Sequence, residues 1–488
     1  MAKPGWDTTD PDDIARLRDK RLRRQVRFQL YPYSPFYRSA FDASNLKAEG
    51  FGGTADLAKL PLVERALLAK RADDFVLAPS KALMQRWASS RQIGEIVLSK
   101  LLRGIDGADS SLKHEYEPVH VLETTGTFGD PIPIRLTRRD LAMLGTQGAR
   151  MLEVAGVTSQ DVMLNLLEAS SAGGFWPTWS GGVAMGLQQV APGFLEPHQA
   201  AALANKMKAT VMVVVAEDAL SILESAADIG IPTLTTLILG PQPLGAVLRK
   251  RIDETATAGV RIISTYGFAE GRALWAECAQ GAGKADAGYH VSPDVQMFES
   301  ISPRTLAPAR RGEAGEVVFT GLDQRGTALV RYRPGDVSMN GIVIGRCPYC
   351  GRTVERILGP MRRANNLVEL QVGGTETLAV DVETIADALA HPALKAWQVE
   401  IAKSDGDPHG ADEVFVLIDP VGGQDAGSLA VELDQAFRDE IGFSPTQFIV
   451  SSRAAGGVVD MRPVPVPAQS SNGSDEAPLV RLFRTPGQ

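Results

Sequence analysis

The sequence predicts an α/β protein in which a large N-terminal domain of mixed sheets flanked by helices precedes a small α+β domain. Short β-branched runs alternate with helical segments between residues 161 and 267, which is the pattern of a largely parallel sheet with crossover helices. From residue 313 the strand-like runs lie close together without helices between them, which indicates antiparallel pairing. A second set of strands and helices begins near residue 365 and predicts the smaller domain.

Helices are predicted ahead of the first sheet, over residues 15–30 and 60–90, where apolar residues recur at helical spacing. The run "RLTRRDLAMLGTQGARMLEVAGV" predicts another helix, which leads into the strand "DVMLNLLEA" and the glycine-rich stretch "SAGGFWPTWSGGVAMG". The parallel strands are "ATVMVVV", "TLTTLILG" and "VRIISTYG"; the antiparallel ones are "GEVVFTGL", "TALVRYRPGD" and "SMNGIVIG". We expect one domain at 1–361, a second at 362–455, and a Pro/Ser-rich, largely disordered tail at 456–488.

The overall composition excludes several classes of protein. The chain has 488 residues, 44% of them hydrophobic and 22% charged, and it lacks the apolar run of about 18 residues that a membrane helix needs. No signal-peptide pattern occurs in "MAKPGWDTTDPDD", so we expect a cytoplasmic protein. The net charge of −8 argues against a nucleic-acid partner. The basic run at 16–27 is interpreted as the solvated face of a helix.

The cysteines form a pattern that is typical of a metal site. Cys347 and Cys350 lie in "CPYCGR", while Cys278 lies upstream with His290 close behind it. One histidine and three cysteines make a closed tetrahedral set of the kind that binds structural Zn²⁺. The alternative is that three free thiols simply pack in a reducing compartment.

Several motifs occur in a fixed order along the chain: "SPFYRSAF", "STYGFAEG", "EC", "GYH", "RGEAGEVVFTGL", "VRYRPGD" and "CPYCGRTVERI". Together they resemble the phenylacetate-coenzyme A ligase branch of the adenylate-forming acyl/aryl-CoA ligases, over residues 20–455. The resemblance implies a large adenylate-forming domain and a small mobile C-terminal domain. It also implies an ATP-dependent reaction that joins a small carboxylic acid to AMP and passes the acyl group to coenzyme A. ATP/AMP, Mg²⁺ and coenzyme A are the implied cofactors, and a homodimer is a possible assembly.

The resemblance also assigns residues to the nucleotide. The stretch "ETTGTFGDP" is similar to the family's phosphate loop, although Phe128 replaces a hydroxyl residue and Asp130 replaces a lysine. Glu270 is the implied Mg²⁺ ligand, and Asp336 is the implied acceptor for the ribose hydroxyls. The remaining nucleotide-binding candidates are Thr124, Thr125, Gly126, Thr127, Gly129, Tyr266 and Gly267.

The acid pocket is expected in the glycine-rich stretch, where Phe175, Trp176 and Trp179 favour a ring or a compact apolar acid. These aromatic residues are equally consistent with packed core. The segment "MRRANNLV" resembles the family's hinge between the two domains. Within it, Arg363 is a catalytic candidate, and Asn365 and Asn366 replace two aspartates.

The catalytic lysine expected within "SSRAAGGVVDMR" is missing, as is the lysine of the phosphate loop. Two lysines are therefore absent from the positions where the resemblance implies them. Arg453 and Arg462 are the cations predicted to fill the gap. Three functions therefore stay open: a CoA ligase, an adenylating enzyme with another acceptor as in coenzyme F390 synthetases, and a catalytically silent relative that binds a nucleotide or an acyl-CoA.

Overall fold

A computed structural model describes residues 5–79, 115–124, 131–170, 174–227, 230–241, 244–303, 305–364, 367–372, 376–403, 411–422, 424–451 and 458–461. The chain divides into two compact units. The first contains Met1–Leu244 and Leu248–Met361, and the second contains Gly245–Val247 and Arg362–Gln488.

The α-helices among the described residues are numbered in chain order. They are α1 Pro11–Gln25, α2 Tyr31–Tyr33, α3 Pro35–Ala43, α4 Thr54–Leu57, α5 Arg65–Lys70, α6 Arg138–Val154, α7 Phe175–Met185, α8 Pro197–Met207, α9 Ala216–Ser225, α10 Ala246–Thr255, α11 Val382–Ala388 and α12 Ala426–Ile441.

The strands of the first unit begin with β1 and end with β17. They are β1 Val63–Glu64, β2 Pro118–Glu123, β3 Pro133–Thr137, β4 Val162–Asn165, β5 Gln188–Val190, β6 Val211–Val214, β7 Thr236–Leu239, β8 Arg261–Phe268, β9 Ala273–Ala276, β10 Tyr289–His290, β11 Gln296–Ile301, β12 Gly315–Gly321, β13 Tyr332–Arg333, β14 Asp336–Ser338, β15 Ile342–Val343, β16 Arg356–Ile357 and β17 Met361–Arg363, which runs across the unit boundary. The second unit adds β18 Leu367–Val372, β19 Glu376–Asp381, β20 Leu394–Lys403, β21 Asp412–Pro420, β22 Gln447–Val450 and β23 Val458–Met461.

The predicted parallel sheet is confirmed. Its strand order is β5-β4-β6-β7-β8-β9, and the strands from β5 to β8 pair in parallel while β9 runs antiparallel to β8. Strands β6 and β7 are buried along their whole length, as expected for β-branched runs covered by helices on both faces. The carboxyl end of β8 therefore opens into the turn that carries Glu270.

The predicted antiparallel part is confirmed as well. Strand β12 pairs antiparallel with β11, β13 and β14, and β1 joins β13 in parallel. A smaller antiparallel sheet has the order β10-β16-β15.

The helix predicted over residues 60–90 is wrong in extent. Val63–Glu64 is the strand β1, and the helix α5 ends at Lys70 before a 3₁₀ turn at Ala72–Phe75. Pairing with β13 provides hydrogen bonds that helical spacing in the sequence cannot reveal. Residues 80–90 lie outside the described part of the chain.

The second unit contains the predicted α+β elements. Its four-stranded sheet has the order β22-β21-β20-β23, and Val399 and Val416 of the sheet are buried in one core with Phe437 of α12. The hairpin β18–β19 precedes α11. Within the predicted tail, Val458–Met461 forms the strand β23 on β20, and the residues after Met461 lie outside the described part.

The helix α6 starts at a capping box. The side chain of Thr137 accepts a hydrogen bond from the Asp140 backbone, and the Asp140 side chain accepts one from the Thr137 backbone. None of the described helices is long and apolar enough to cross a membrane.

Helices α6 and α7 pack with their backbones close together at two glycines. A Cβ added at Gly148 would lie 1.9 Å from the carbonyl oxygen of Pro177, and one at Gly181 would lie 2.4 Å from the carbonyl carbon of Gly148. The close approach holds α7, which carries the predicted pocket aromatic residues, against α6.

We expect Gly148→Ala to lower the free energy of unfolding by about 1 to 3 kcal/mol, because the added methyl group would separate the helices. Gly145→Ala is the matched control, since its Cβ would lie at an ordinary 3.4 Å from the Ser180 carbonyl oxygen. Denaturant unfolding of both variants measures the difference. Equal stability of the two variants would contradict the close contact.

Candidate functional site

Glu270 lies in a 3₁₀ turn, Ala269–Gly271, directly after β8, and its side chain is buried with 3% relative exposure. Arg65 donates a hydrogen bond from Nη1 to Glu270 Oε1 at 3.1 Å, and the Tyr332 hydroxyl donates to the same oxygen. Burial and the adjacent Glu270 carboxylate raise the pKa of Tyr332 well above its usual value, so its hydroxyl keeps the proton that it donates. The carboxylate predicted to bind Mg²⁺ is therefore paired with one cation and one phenol.

Thr124 begins the predicted phosphate loop and connects it to Glu270. Its Oγ1 accepts hydrogen bonds from Arg65 Nη2 at 2.8 Å and from the Ile132 backbone at 3.0 Å. The Thr124 backbone N–H donates to the Ile132 carbonyl, so the loop is closed at its base. The guanidinium of Arg65 thus bridges the base of the loop and the Glu270 turn. The other predicted loop residues, Thr125, Gly126, Thr127 and Gly129, lie outside the described residues, as do Phe128 and Asp130.

Tyr266 and Asp336 form the second polar pair of the site. The Tyr266 hydroxyl donates to Asp336 Oδ2 at 2.9 Å, and both side chains are buried. Strand β8 carries Tyr266, while Asp336 begins β14, so the pair joins the parallel sheet to the antiparallel sheet that contains β12. Gly267 permits the pairing of β8 with β9, because a Cβ there would lie 2.7 Å from the Ala273 carbonyl oxygen.

The predicted pocket aromatic residues lie at the start of α7, but they are not equally buried. Phe175 is buried and contacts Trp176 edge to face, with 5.2 Å between ring centroids. Trp176 donates from Nε1 to the Ser170 carbonyl and also contacts the ring of His120 at 4.7 Å. Trp179 is 39% exposed. The structure therefore brings Phe175 and Trp176 together and leaves Trp179 towards solvent.

His120, on β2, was not among the predicted site residues. Its Nε2 is buried without a hydrogen-bond partner among the described residues. Burial lowers the pKa of His120, so the ring is neutral near pH 7. Nothing in the sequence around "EPVHVLE" distinguishes this histidine from an ordinary strand residue.

The predicted hinge arginine, Arg363, ends β17 and belongs to the second unit. The preceding Arg362 pairs with Asp381 at 2.9 Å, and Asp381 caps the N-terminus of α11 through the Thr384 backbone. Asn365, Asn366, Arg453 and Arg462 lie outside the described residues.

The four predicted metal ligands meet in space. The ligand atoms of Cys278, His290, Cys347 and Cys350 all lie within 4.8 Å of one another. Cys278 Sγ and Cys347 Sγ are 3.9 Å apart, and Cys350 Sγ is 3.2 Å from His290 Nε2. His290 Nδ1 lies 3.2 Å from the Gly288 carbonyl oxygen, an arrangement that leaves Nε2 for a metal. Hydrogen bonds from Cys278 and His290 lower the pKa of Cys350 to about 2, which favours the thiolate form.

Comparison with known proteins finds similarity to the same group of enzymes as the sequence motifs. No family model matches the chain. The phenylacetate-coenzyme A ligase of Thermus thermophilus is 23% identical, over 91% of this chain and 86% of the relative. The phenylacetate-coenzyme A ligase of Aromatoleum evansii is 24% identical, over 67% of this chain and 66% of the relative. The chain resembles phenylacetate-coenzyme A ligases.

A solved structure has a similar fold. The 2-hydroxyisobutyryl-CoA ligase in its postadenylation state, in complex with 2-HIB-AMP, superposes with a TM-score of 0.68 at 16% identity. The match covers 93% of this chain and 89% of that structure. The predicted α/β fold, with a large domain followed by a smaller C-terminal part, is confirmed, and it is similar to the fold of this CoA ligase.

Two residues that contact Glu270 were not predicted. Tyr332 lies inside the motif "VRYRPGD", so its place beside the predicted Asp336 was a usable signal. Arg65 lies in "KLPLVERALLAKRADDFV", where arginine is common on a solvated helix face. The phenylacetate-coenzyme A ligase-like motifs therefore indicated the acidic residue of the site but gave no indication of its cationic partner.

Proposed function

We propose that the chain is an AMP-forming acid–thiol ligase, which activates a small carboxylic acid as an acyl-adenylate and transfers the acyl group to coenzyme A. The observation that carries the proposal is the contact of Arg65 with the buried Glu270 and the buried Thr124 at the carboxyl end of a parallel strand. Ligands of open α/β sheets bind at this end of the strands. The similarity to phenylacetate-coenzyme A ligases supports the same reaction.

Each polar group then has a task that its surroundings suit. Glu270 would hold Mg²⁺, a hard cation that prefers carboxylate oxygen and, when bound, neutralises charge on the phosphates of ATP. Thr124 would position the phosphate loop, since its hydroxyl is fixed between Arg65 and Ile132. Asp336, held by the hydroxyl of Tyr266, would accept hydrogen bonds from the ribose.

Arg65 would supply positive charge that the missing lysines do not. Its side chain is 27% exposed, and it contacts both the predicted Mg²⁺ ligand and the first loop threonine. An arginine keeps its charge at every physiological pH and matches phosphate oxygens with a planar fork of donors. This proposal replaces Arg453 and Arg462 as the first residues to test.

The acid pocket would contain Phe175, Trp176 and His120. Two aromatic rings and a neutral histidine favour an aryl acid or a compact acid with one hydrogen-bonding group. Phenylacetate, benzoate and 2-hydroxyisobutyrate therefore form the first panel of substrates.

The ligase proposal predicts acid-dependent ATP–pyrophosphate exchange with at least one acid of the panel. Glu270→Gln should lower the exchange rate by about 10²-fold or more, because the carboxylate that would hold the charge-neutralising Mg²⁺ is removed. Glu299→Gln is the matched control, because Glu299 is a part-buried carboxylate that, like Glu270, is paired with an arginine, here Arg331. Mass detection of a CoA thioester then tests the acceptor. Exchange without thioester would favour another acceptor, and nucleotide binding without exchange would favour the silent relative.

The Arg65 proposal predicts that Arg65→Met lowers the exchange rate by about 10² to 10³-fold and that Arg65→Lys restores part of it. The control is Arg71→Met, since Arg71 pairs with Asp74 on the surface just after the same helix. The exchange assay is run beside a thermal melt of each variant. If Arg65→Met matches the parent rate, the charge comes from elsewhere.

We also propose that Cys278, His290, Cys347 and Cys350 hold a structural Zn²⁺. Thiolate and imidazole donors in this number are the preferred ligands of structural Zn²⁺, and the four ligand atoms are close enough to share one ion. The ion would join the loop between β15 and β16, where Cys347 and Cys350 lie, to the segment after β9.

The zinc proposal predicts about one zinc per chain in elemental analysis of protein purified without chelator. His290→Gln and Cys347→Ser should each lose most of the metal and lower the melting temperature. His198→Gln, at an exposed histidine on α8, is the control and should keep the metal. If the purified protein contains no metal and Cys347→Ser leaves its stability unchanged, the four residues form no metal site and the thiols only pack.

A further inference from the structure

Arg272 follows the Glu270 turn and has an unusual backbone conformation. Its φ is 55°, in the left-handed region that few residues other than glycine adopt. Its backbone N–H donates to the Ala269 carbonyl and closes the turn that contains Glu270. The side chain is buried with 4% exposure. A long charged side chain in such a position requires partners inside the protein.

The main partner of Arg272 is Asp140, in the first turn of α6. Arg272 Nη1 donates to Asp140 Oδ1 at 2.9 Å, and Nη2 donates to the Thr327 carbonyl. The Asp140 carboxylate also accepts hydrogen bonds from the backbone N–H groups of Thr137, Arg325 and Gly326. Asp140 is therefore a buried junction where several chain segments meet.

These segments are the ones that carry the nucleotide site. Helix α6 follows β3, which pairs with β2, and β2 ends next to Thr124. Residues 325–327 lead into β13, whose Tyr332 contacts Glu270. The Arg272–Asp140 pair thus connects the Glu270 turn to both neighbouring parts of the site.

The buried Arg272–Asp140 ion pair contributes little to the free energy of unfolding. Arg272 Nε is buried without a hydrogen-bond partner among the described residues, and burial lowers the pKa of the guanidinium against the opposing effect of Asp140. Removing two charges from water offsets much of their attraction, so apolar side chains of similar size often stabilise a protein as well. A role in geometry accounts for the pair better than a role in stability.

We propose that Arg272 and Asp140 are positioning residues that hold Glu270 at a set place relative to Thr124 and so set the affinity of the site for the divalent cation of ATP. The inference rests on the proposed function, in which Glu270 holds that cation. The pair itself does not touch the reacting atoms. Its effect is transmitted through the closed turn between Ala269 and Arg272.

Arg272→Met tests the inference, because it removes the charge and keeps most of the side-chain volume. We expect the Mg²⁺ concentration for half-maximal ATP–pyrophosphate exchange to rise about 10-fold, since small displacements of a catalytic group cost one to two orders of magnitude. In calorimetry, ATP affinity should fall in the presence of Mg²⁺ and stay close to that of the parent without it. Arg272→Lys should restore part of the Mg²⁺ dependence.

The matched control is Arg18→Met. Arg18 also forms a buried ion pair, with Glu355 at 2.8 Å, and donates to the Pro293 carbonyl, which is not part of the Glu270 turn. This control should lower the melting temperature without changing the Mg²⁺ dependence. Should Arg272→Met behave in the same way, the pair is structural only and the inference is overturned.

The remaining outcomes separate failure of this inference from failure of the ligase proposal. If Arg272→Met does not fold, Asp140→Asn gives the same test, because it keeps the side-chain shape and removes the charge. A parent chain that binds ATP in a Mg²⁺-dependent manner but catalyses no exchange would overturn the ligase proposal, while the calorimetric comparison of parent and Arg272→Met still decides the inference. A parent chain that binds no nucleotide would overturn both.

Discussion

Three buried carboxylates, on Glu270, Asp336 and Asp140, set the main constraint on the first unit. A carboxylate that leaves water must be paired with donors, or its burial costs several kcal/mol, on the order of what a whole domain has to spare. Here the donors come from distant parts of the chain: Arg65 for Glu270, Tyr266 for Asp336 and Arg272 for Asp140, at separations of 205, 70 and 132 residues. The site is therefore complete only when the parallel sheet, the antiparallel sheet and the N-terminal helices have assembled around it.

The sequence predicted those parts of the fold that depend on local periodicity. The β-branched runs predicted β6, β7 and β8, because strands buried on both faces have few alternatives, and the crowded strands after residue 313 predicted the antiparallel sheet. The strand β19, by contrast, is defined by its pairing with β18. In the site, motif order predicted Glu270 and Asp336. Arg65 could not be predicted, because nothing local distinguishes an arginine that folds inwards from a solvated one.

The contacts of Arg65 make it the first candidate for the positive charge that the missing lysines would have placed near the phosphates. From the missing lysines the sequence predicted Arg453 and Arg462 as replacements, and both lie outside the described residues. Arg65, Thr124 and Glu270 all belong to the first unit. A cation in the same unit as the predicted phosphate loop would be preorganised, which is the condition under which electrostatic stabilisation contributes most to catalysis. On this view the loss of a lysine from the second unit does not by itself make the chain silent.

The short strand β9 links the proposed nucleotide site to the cysteine cluster. Arg272 precedes its first residue and is held by Asp140, while Cys278 follows two residues after its end and lies among the other cluster ligands. All four residues of β9 are buried, and Trp275 pairs with Tyr266 on β8. A strand held at both ends fixes the strand that it pairs with, so the position of the Tyr266 hydroxyl towards Asp336 depends on both anchors. The ion pair and the proposed zinc site, although made of different chemistry, thus act on the same strand and through it on the proposed nucleotide site.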